Sequence, residues 1–195
     1  MATVVTDFDA VSVKNVNAQF KDGGTSGGAR SFGCTGSVEG ETESIVIEKR
    51  CAGMTKKSLA KPQKMNLTYT GHLPVAVLRD VFGLSNTGLK PGVYSYGQSS
   101  KGKEFILTGD VVDEFEDVTK LIAFPAVTSS TGLKIQSIEN GAEEVAQIEL
   151  EFTVLPDSAG QFYYEALVPE LDDTTVAQQW HTAFSRELVE AVPVP

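Results

Sequence analysis

Histidine and cysteine are scarce in this chain, two of each among 195 residues. Neither His72 nor His181 lies at metal-ligand spacing from a second strong ligand, so a packing or surface role is expected of both. Cys34 and Cys51 form no CxxC pair and are too few for a disulfide framework, so two free, buried thiols are expected. Long apolar runs are also missing. The longest, Leu121 to Val127, is seven residues, against the roughly 20 that a spanning helix needs, so no membrane span is expected. The opening segment, Met1 to Asp9, has no basic head and carries acids where an export leader is apolar, which leads to the expectation of a cytoplasmic protein. Basic residues are outnumbered, 16 Lys and Arg against 26 Asp and Glu, for a net charge of -10. That sign repels phosphate backbones and argues against a DNA reader. Neither GxGxxG nor the P-loop pattern occurs in the glycine-rich stretch, and no GxSxG elbow is present. Carboxylate pairs such as Glu143-Glu144, Asp113-Glu114 and Asp172-Asp173 are what solvated surfaces also show, so they are weak evidence for glycosidase chemistry. The chain is therefore expected not to be an enzyme, and no catalytic, metal or cofactor-binding residue is assigned.

What is present is the composition of an ordinary folded protein, 41% hydrophobic and 22% charged with 18 Gly and 8 Pro. Its length suits one domain over residues 1–195, with extended arms at about 1–10 and 189–195. Short strand-like runs alternate with Gly, Ser and Asn. Val11 to Val16 reads as a strand, and Asp22 to Arg30 as a flexible glycine loop. Ser31 to Glu39 and Ser44 to Arg50 read as a hairpin turning at Gly40-Glu41-Thr42-Glu43, with Ile45 and Ile47 on one face. Gln63 to Thr70 alternates cleanly, Met65, Leu67 and Tyr69 pointing one way. Pro74 to Phe82 reads as a short helix, with Val77/Val81 and Leu78/Phe82 four apart and Gly83 beyond its end. Leu84 to Lys103 is a long polar loop, functional or mobile by its length, with a possible strand at Gly92 to Tyr96.

From Glu104 onward the chain is strongly β. Phe105, Leu107, Val111 and Phe115 share odd positions, with Thr108, Asp110, Glu114 and Glu116 opposite, although Ile106, Val112 and Asp113 break the alternation. Leu121 to Phe124 should stop at Pro125. Val145 to Val154 is the best strand, with Ile148, Leu150, Phe152 and Val154 facing a core and Glu149 and Glu151 facing water. The turn at Pro156 to Gly160 should fold Gln161 to Val168 back against it as an antiparallel hairpin. Asp172, Asp173 and Thr174 supply N-cap chemistry to one amphipathic helix, in which Val176, Trp180, Phe184 and Leu188 recur every four residues.

The run from Lys103 to Glu114, then Leu121-Ile122-Ala123-Phe124-Pro125, then Ile138 to Phe152 with its ENGAEEV turn, resembles the major tail proteins of long-tailed bacteriophages. The resemblance spans about 65 of the 195 residues and leaves the N-terminal third unmatched in detail. It implies a mainly β fold: a β-sandwich with a short internal helix and a C-terminal flanking helix, its strands contributing to a ring-shaped barrel on oligomerisation. It also implies hexameric rings stacked into a tail tube, a tape-measure protein inside the growing tube, tail-terminator and distal tail proteins as partners, and double-stranded DNA passing without sticking. The place of work would be the tail of a virion, assembled in the host cytoplasm. On this reading Asp110, Glu114, Glu116, Glu149 and Glu151 face the lumen, where acidity prevents phosphate binding. An acidic outer surface kept for solubility is the other placement. The alternative function is a β-sandwich binding module of carbohydrate-binding or adhesin type. Such a module needs an aromatic platform, whereas a strand sends Tyr163 and Tyr164 to opposite faces.

Overall fold

The structure, a computed structural model, describes residues 4–22, 25–51, 54–136, 140–141 and 143–191. The fold is mainly β, as expected. The strands are β1 (Ala10–Asp22), β2 (Thr25–Ser31), β3 (Cys34–Cys51), β4 (Met54–His72), β5 (Phe105–Asp113), β6 (Thr119–Ser129), β7 (Ile148–Val154) and β8 (Tyr164–Leu167). They form one antiparallel sheet in the order β2-β1-β5-β6-β7-β4-β3, with β8 added to β6. The helices are α1 (Val75–Phe82), α2 (Thr174–Gln179) and α3 (Arg186–Val189).

One core explains the shape of the sheet. Val16, Ala18 and Phe20 of β1, Leu67 and Tyr69 of β4, and Phe105, Leu107, Leu150 and Phe152 of the central strands are buried together. Strands from near opposite ends of the strand order meet there, so the sheet bends and its two halves face each other as a sandwich. Aromatic contacts join the halves. Phe32 lies 4.8 Å edge-on from Tyr69 and 5.8 Å from Phe105, and Phe105 lies 5.5 Å edge-on from Phe152. Such pairs add about 0.5–1.5 kcal/mol beyond the area they bury.

Helix α1 stands where its sequence pattern puts it and closes the core with Val77, Val81 and Phe82. Gly83 ends it with φ of 69°, and a Cβ there would lie 2.0 Å from the Lys101 carbonyl oxygen, so both conformation and space require glycine. The loop that follows is laced by hydrogen bonds between the Ser85 and Ser95 backbones, 3.1 and 2.9 Å, and by the Arg79 guanidinium 3.7 Å above the Tyr94 ring.

A second, smaller core lies on the opposite face of β5 and β6. Ile106, Leu121 and Ala123 are covered there by Trp180 and Phe184. Both faces of these strands are therefore buried, which is why the alternation after Glu104 is imperfect. The Trp180 indole N–H donates to the Ile122 carbonyl at 2.9 Å, satisfying the polar atom of a side chain that is 1% exposed.

Several expectations are corrected. Residues 25–31 of the glycine stretch are the edge strand β2, paired with β1. Gly40 to Glu43 is no turn: β3 runs straight through it, and β3 and β4 pair from Cys34↔His72 to Cys51↔Met54. Gly40 sits opposite Leu67, where a Cβ would come within 3.0 Å of that side chain, so glycine serves close packing inside a strand. Pro125 does not end β6. It falls at an irregularity between the pairs Leu107↔Phe124 and Phe105↔Val127, where β6 changes partner from β8 to β7, a bulge position that tolerates a missing N–H. Val145 to Gln147 precede β7 rather than belonging to it. β8 pairs with β6 and not with β7. The long C-terminal helix is two short ones, because the Ser185 hydroxyl accepts from the Leu188 N–H and starts α3 anew. Asp173 caps α2 as expected, its carboxylate accepting from the Thr175 N–H at 2.8 Å. The thiols of Cys34 and Cys51 are free, but exposed rather than buried.

Candidate functional site

The five acidic residues assigned to a lumen occupy three different settings. Glu149 and Glu151 alternate with the buried Ile148, Leu150 and Phe152 and point away from the core, as the sequence pattern requires. Between them stands Lys134, its ammonium 3.2 Å from Glu149 and 3.7 Å from Glu151. Glu114 and Glu116 are not on β5. They lie in the turn after it, where Glu116 has φ of 58° and its carboxylate accepts from the Lys14 ammonium at 2.6 Å. The turn is closed by Asp113, whose Oδ1 accepts from the backbone N–H groups of Asp117 and Val118 at 3.1 and 3.3 Å. A hydrogen bond that the protonated Asp117 carboxyl donates to the Asp113 carboxylate, together with the Asp113 charge, raises the Asp117 carboxyl above its ordinary value. Phe115, expected on the core face of β5, is instead 77% exposed at the tip of this turn.

Asp110 is on β5 but does not face open water. His181 reaches it from the turn after α2, Nε2 to Oδ1 at 2.7 Å, while its Nδ1 meets the Thr108 hydroxyl at 3.1 Å. The Asn15 amide donates to Asp110 Oδ2 at 2.7 Å. Its side chain is 13% exposed. This group pins the C-terminal segment over the small core. Of the ENGAEEV stretch and the residue before it, Ile138, Glu139 and Ala142 lie outside the described residues.

The most distinctive surface is the far half of the β3–β4 hairpin. The strands are 18 and 19 residues long, yet Glu39 to Cys51 and Met54 to Gln63 are exposed throughout. At this end the hairpin is a two-stranded arm with no core beneath it, a form of marginal stability in water when alone. One face reads Lys49 beside Lys57, Ile47 beside Leu59 and Ile45 beside Lys61, by cross-strand pairing. Ile45, Ile47 and Leu59 are about half exposed or more, as are Val46 and Met54. Near the arm's base an open groove of 730 Å³ is lined by Ile45, Ile47, Lys61, Pro62, Leu155 and Phe162. Among the described residues, the outer edge of β3 pairs with no other strand, and neither does the outer edge of β2. Sequence reading missed the arm because it placed a turn at Gly40. The signal it could have used is local charge: residues 45–64 hold six of the 16 basic side chains and one of the 26 acids.

The aromatic platform of a carbohydrate binder is not formed by Tyr163 and Tyr164. Tyr163 packs on Phe124 at 5.3 Å in the large core and Tyr164 on Phe184 at 5.5 Å in the small one. Burial, then Glu165, raises the Tyr163 hydroxyl far above its ordinary value.

The sequence matches no protein-family profile and no curated protein. Among solved structures, the tube-terminating cap of the anti-feeding prophage is similar with a TM-score of 0.46 and 12% identity, over 84% of this chain and 95% of that one. A chain of the six-fold symmetrised baseplate of the anti-feeding prophage gives a TM-score of 0.35 and 12% identity, over 85% of this chain and 97% of that one. Likenesses this loose assign no function.

Proposed function

We propose that the chain is a non-catalytic structural subunit that associates with copies of itself into stacked rings forming a tail tube in a virion or phage-like particle. The observation that carries this reading is the β3–β4 arm. A two-stranded ribbon exposed on both faces, with Ile45, Ile47, Leu59 and Met54 in solvent, gains burial and edge hydrogen bonds only by meeting another protein surface. The resemblance of its β segment to major tail proteins supplies the form of assembly: hexameric rings, a tape-measure protein inside, terminator and distal tail proteins at the ends, and DNA passing through. Glu149 and Glu151 are the lumen residues this reading retains. Asp110 is withdrawn from it because His181 covers the carboxylate.

Purified protein examined by negative-stain imaging and sedimentation velocity over a rising concentration series is expected to show rings or tubes. A strict monomer at about millimolar concentration, without rings or tubes in the images, overturns the reading, since an unsatisfied edge and an exposed apolar arm favour association at that concentration.

A further inference from the structure

The charge of this molecule is segregated in a way that its net value hides. Residues 45–64 carry Lys49, Arg50, Lys56, Lys57, Lys61 and Lys64 against the single acid Glu48, a local charge of +5. The rest of the chain then holds 10 basic and 25 acidic side chains, a charge of -15. Arg50 is tied to Glu48 at 2.7 Å and Lys64 to Glu43 at 3.2 Å. Lys49, Lys56, Lys57 and Lys61 have no ion-pair partner among the described residues.

We infer that the arm docks on the acidic body of a second copy and not on a second arm. The inference rests on the self-association proposed above and fixes its polarity. Two open hairpins could pair edge to edge about a two-fold axis, which is the usual route to a symmetric dimer. That contact would bring +5 against +5, and two like charges at 4 Å repel by about 1 kcal/mol even in water. Arm against body brings +5 against -15 and lets the lysine stems lie over the aliphatic face while their ammonium groups reach carboxylates. The resulting contact is heterologous: one patch of each copy meets a different patch of the next. Such contacts close into rings or run on as filaments. Charge steering of this kind weakens with salt, because the Debye length falls from about 10 Å at 0.1 M to about 3 Å at 1 M. Double-stranded DNA is a competing acceptor for an exposed cluster of lysines. The body favours a second copy, because -15 on the same molecule repels the phosphates that the arm would attract.

The test is sedimentation velocity on the full chain across about 50–500 mM NaCl, with a triple variant Lys49→Glu, Lys57→Glu, Lys61→Glu alongside. All three side chains are exposed, and circular dichroism with Trp180 fluorescence checks that the variant is folded. The expected result is association that weakens about tenfold or more across the salt range, and a folded variant that stays monomeric where the native chain assembles. Assembly indifferent to salt, or a variant that assembles normally, overturns the arm-to-body contact and leaves self-association standing. A native chain that is monomeric throughout overturns both. A monomer that binds a double-stranded DNA oligonucleotide at low salt, with binding lost in the variant, overturns the inference in favour of nucleic acid.

Discussion

His181 and Asp110 meet at 2.7 Å between the turn after α2 and the middle of β5. This contact turns a carboxylate that a strand pattern assigns to solvent into a structural anchor. The Asn15 amide completes it from β1, so three segments distant in sequence converge on one side chain. Removing the acceptor as Asp110→Ala strands two donors in a partly covered site. The expected loss is about 1.5–3 kcal/mol, the range for hydrogen bonds to a charged group. Denaturant midpoints at constant slope measure it, and a loss under about 0.5 kcal/mol would refute the anchor.

Trp180 is the chain's one tryptophan, and its burial makes it a reporter of the C-terminal segment. Native emission is expected at short wavelength and protected from acrylamide, shifting red only as the small core opens. Replacing it by alanine removes the ring that covers Leu121 and Ala123 and is expected to cost about 3–5 kcal/mol. Acrylamide quenching of the native protein as fast as that of free indole would contradict the packing.

Both thiols should react with iodoacetamide without denaturant or reductant, giving two adducts per chain by mass spectrometry. Cys34 and Cys51 stand at the two ends of β3, which at 3.3 Å per residue separates them by about 56 Å, while a disulfide needs Cα atoms within about 7 Å. An intramolecular bridge in the folded protein would require β3 to be broken.

The turn before β8 is acid-sensitive through Asp157. Burial opposes ionisation of this carboxyl, but the Tyr164 hydroxyl and the Gln161 and Ala159 N–H groups donate to it and together hold it below its ordinary value. The folded state therefore holds fewer protons than the unfolded one as pH falls below about 4. The stabilisation is present above that pH and is lost as pH drops through the folded value. Amide exchange at Ala159 and Gln161 should accelerate over that acid window beyond its intrinsic change. In Asp157→Asn the excess should vanish, and an unchanged profile would refute the role.

For the lumen, the double change Glu149→Lys with Glu151→Lys surrounds Lys134 with two more cations. Exposed charges of this kind are worth about 0–1 kcal/mol, so folding and assembly should persist. On the proposed hexameric tube with these residues in its lumen, tubes built of the variant should bind double-stranded DNA in low salt and pass it poorly, since six copies per ring would then present phosphate-binding groups. Normal passage through tubes made wholly of the variant would place these residues elsewhere.

How far the sequence carried this reading depended on what each segment packs against. Met65, Leu67 and Tyr69 face a core and their neighbours do not, so the inner half of β4 was legible by period alone. Pro74 and Gly83 bracketed α1 for the same local reasons that hold it in place. The outer half of the same hairpin has no buried face, so no period marks it, and turn-like residues at Gly40 to Glu43 pointed to a bend that pairing with β4 overrides. The partner of β8 was invisible because β6, not the adjacent β7, holds the free edge, and pairing across the chain leaves no local trace. Val176, Trp180, Phe184 and Leu188 do line one core, yet Ser185 restarts the helix between them. Asp110 was misplaced because its cover comes from residue 181, which no spacing rule connects to it.

The pairing of β1 with β5, from Ala10↔Asp113 to Phe20↔Phe105, also sets an order of events on the ribosome. At about 5–20 residues per second, β1 waits on the order of 5–20 s for its central partner to be made. In that interval the β3–β4 hairpin, joined by a short connection, is already complete and can form by itself within microseconds. Once the β1–β2 pair is made, the next piece to be completed is thus the cationic arm, while Val16, Ala18 and Phe20 still lack their β5 partner. Chaperone demand should be greatest before β5 emerges and should fall once it does.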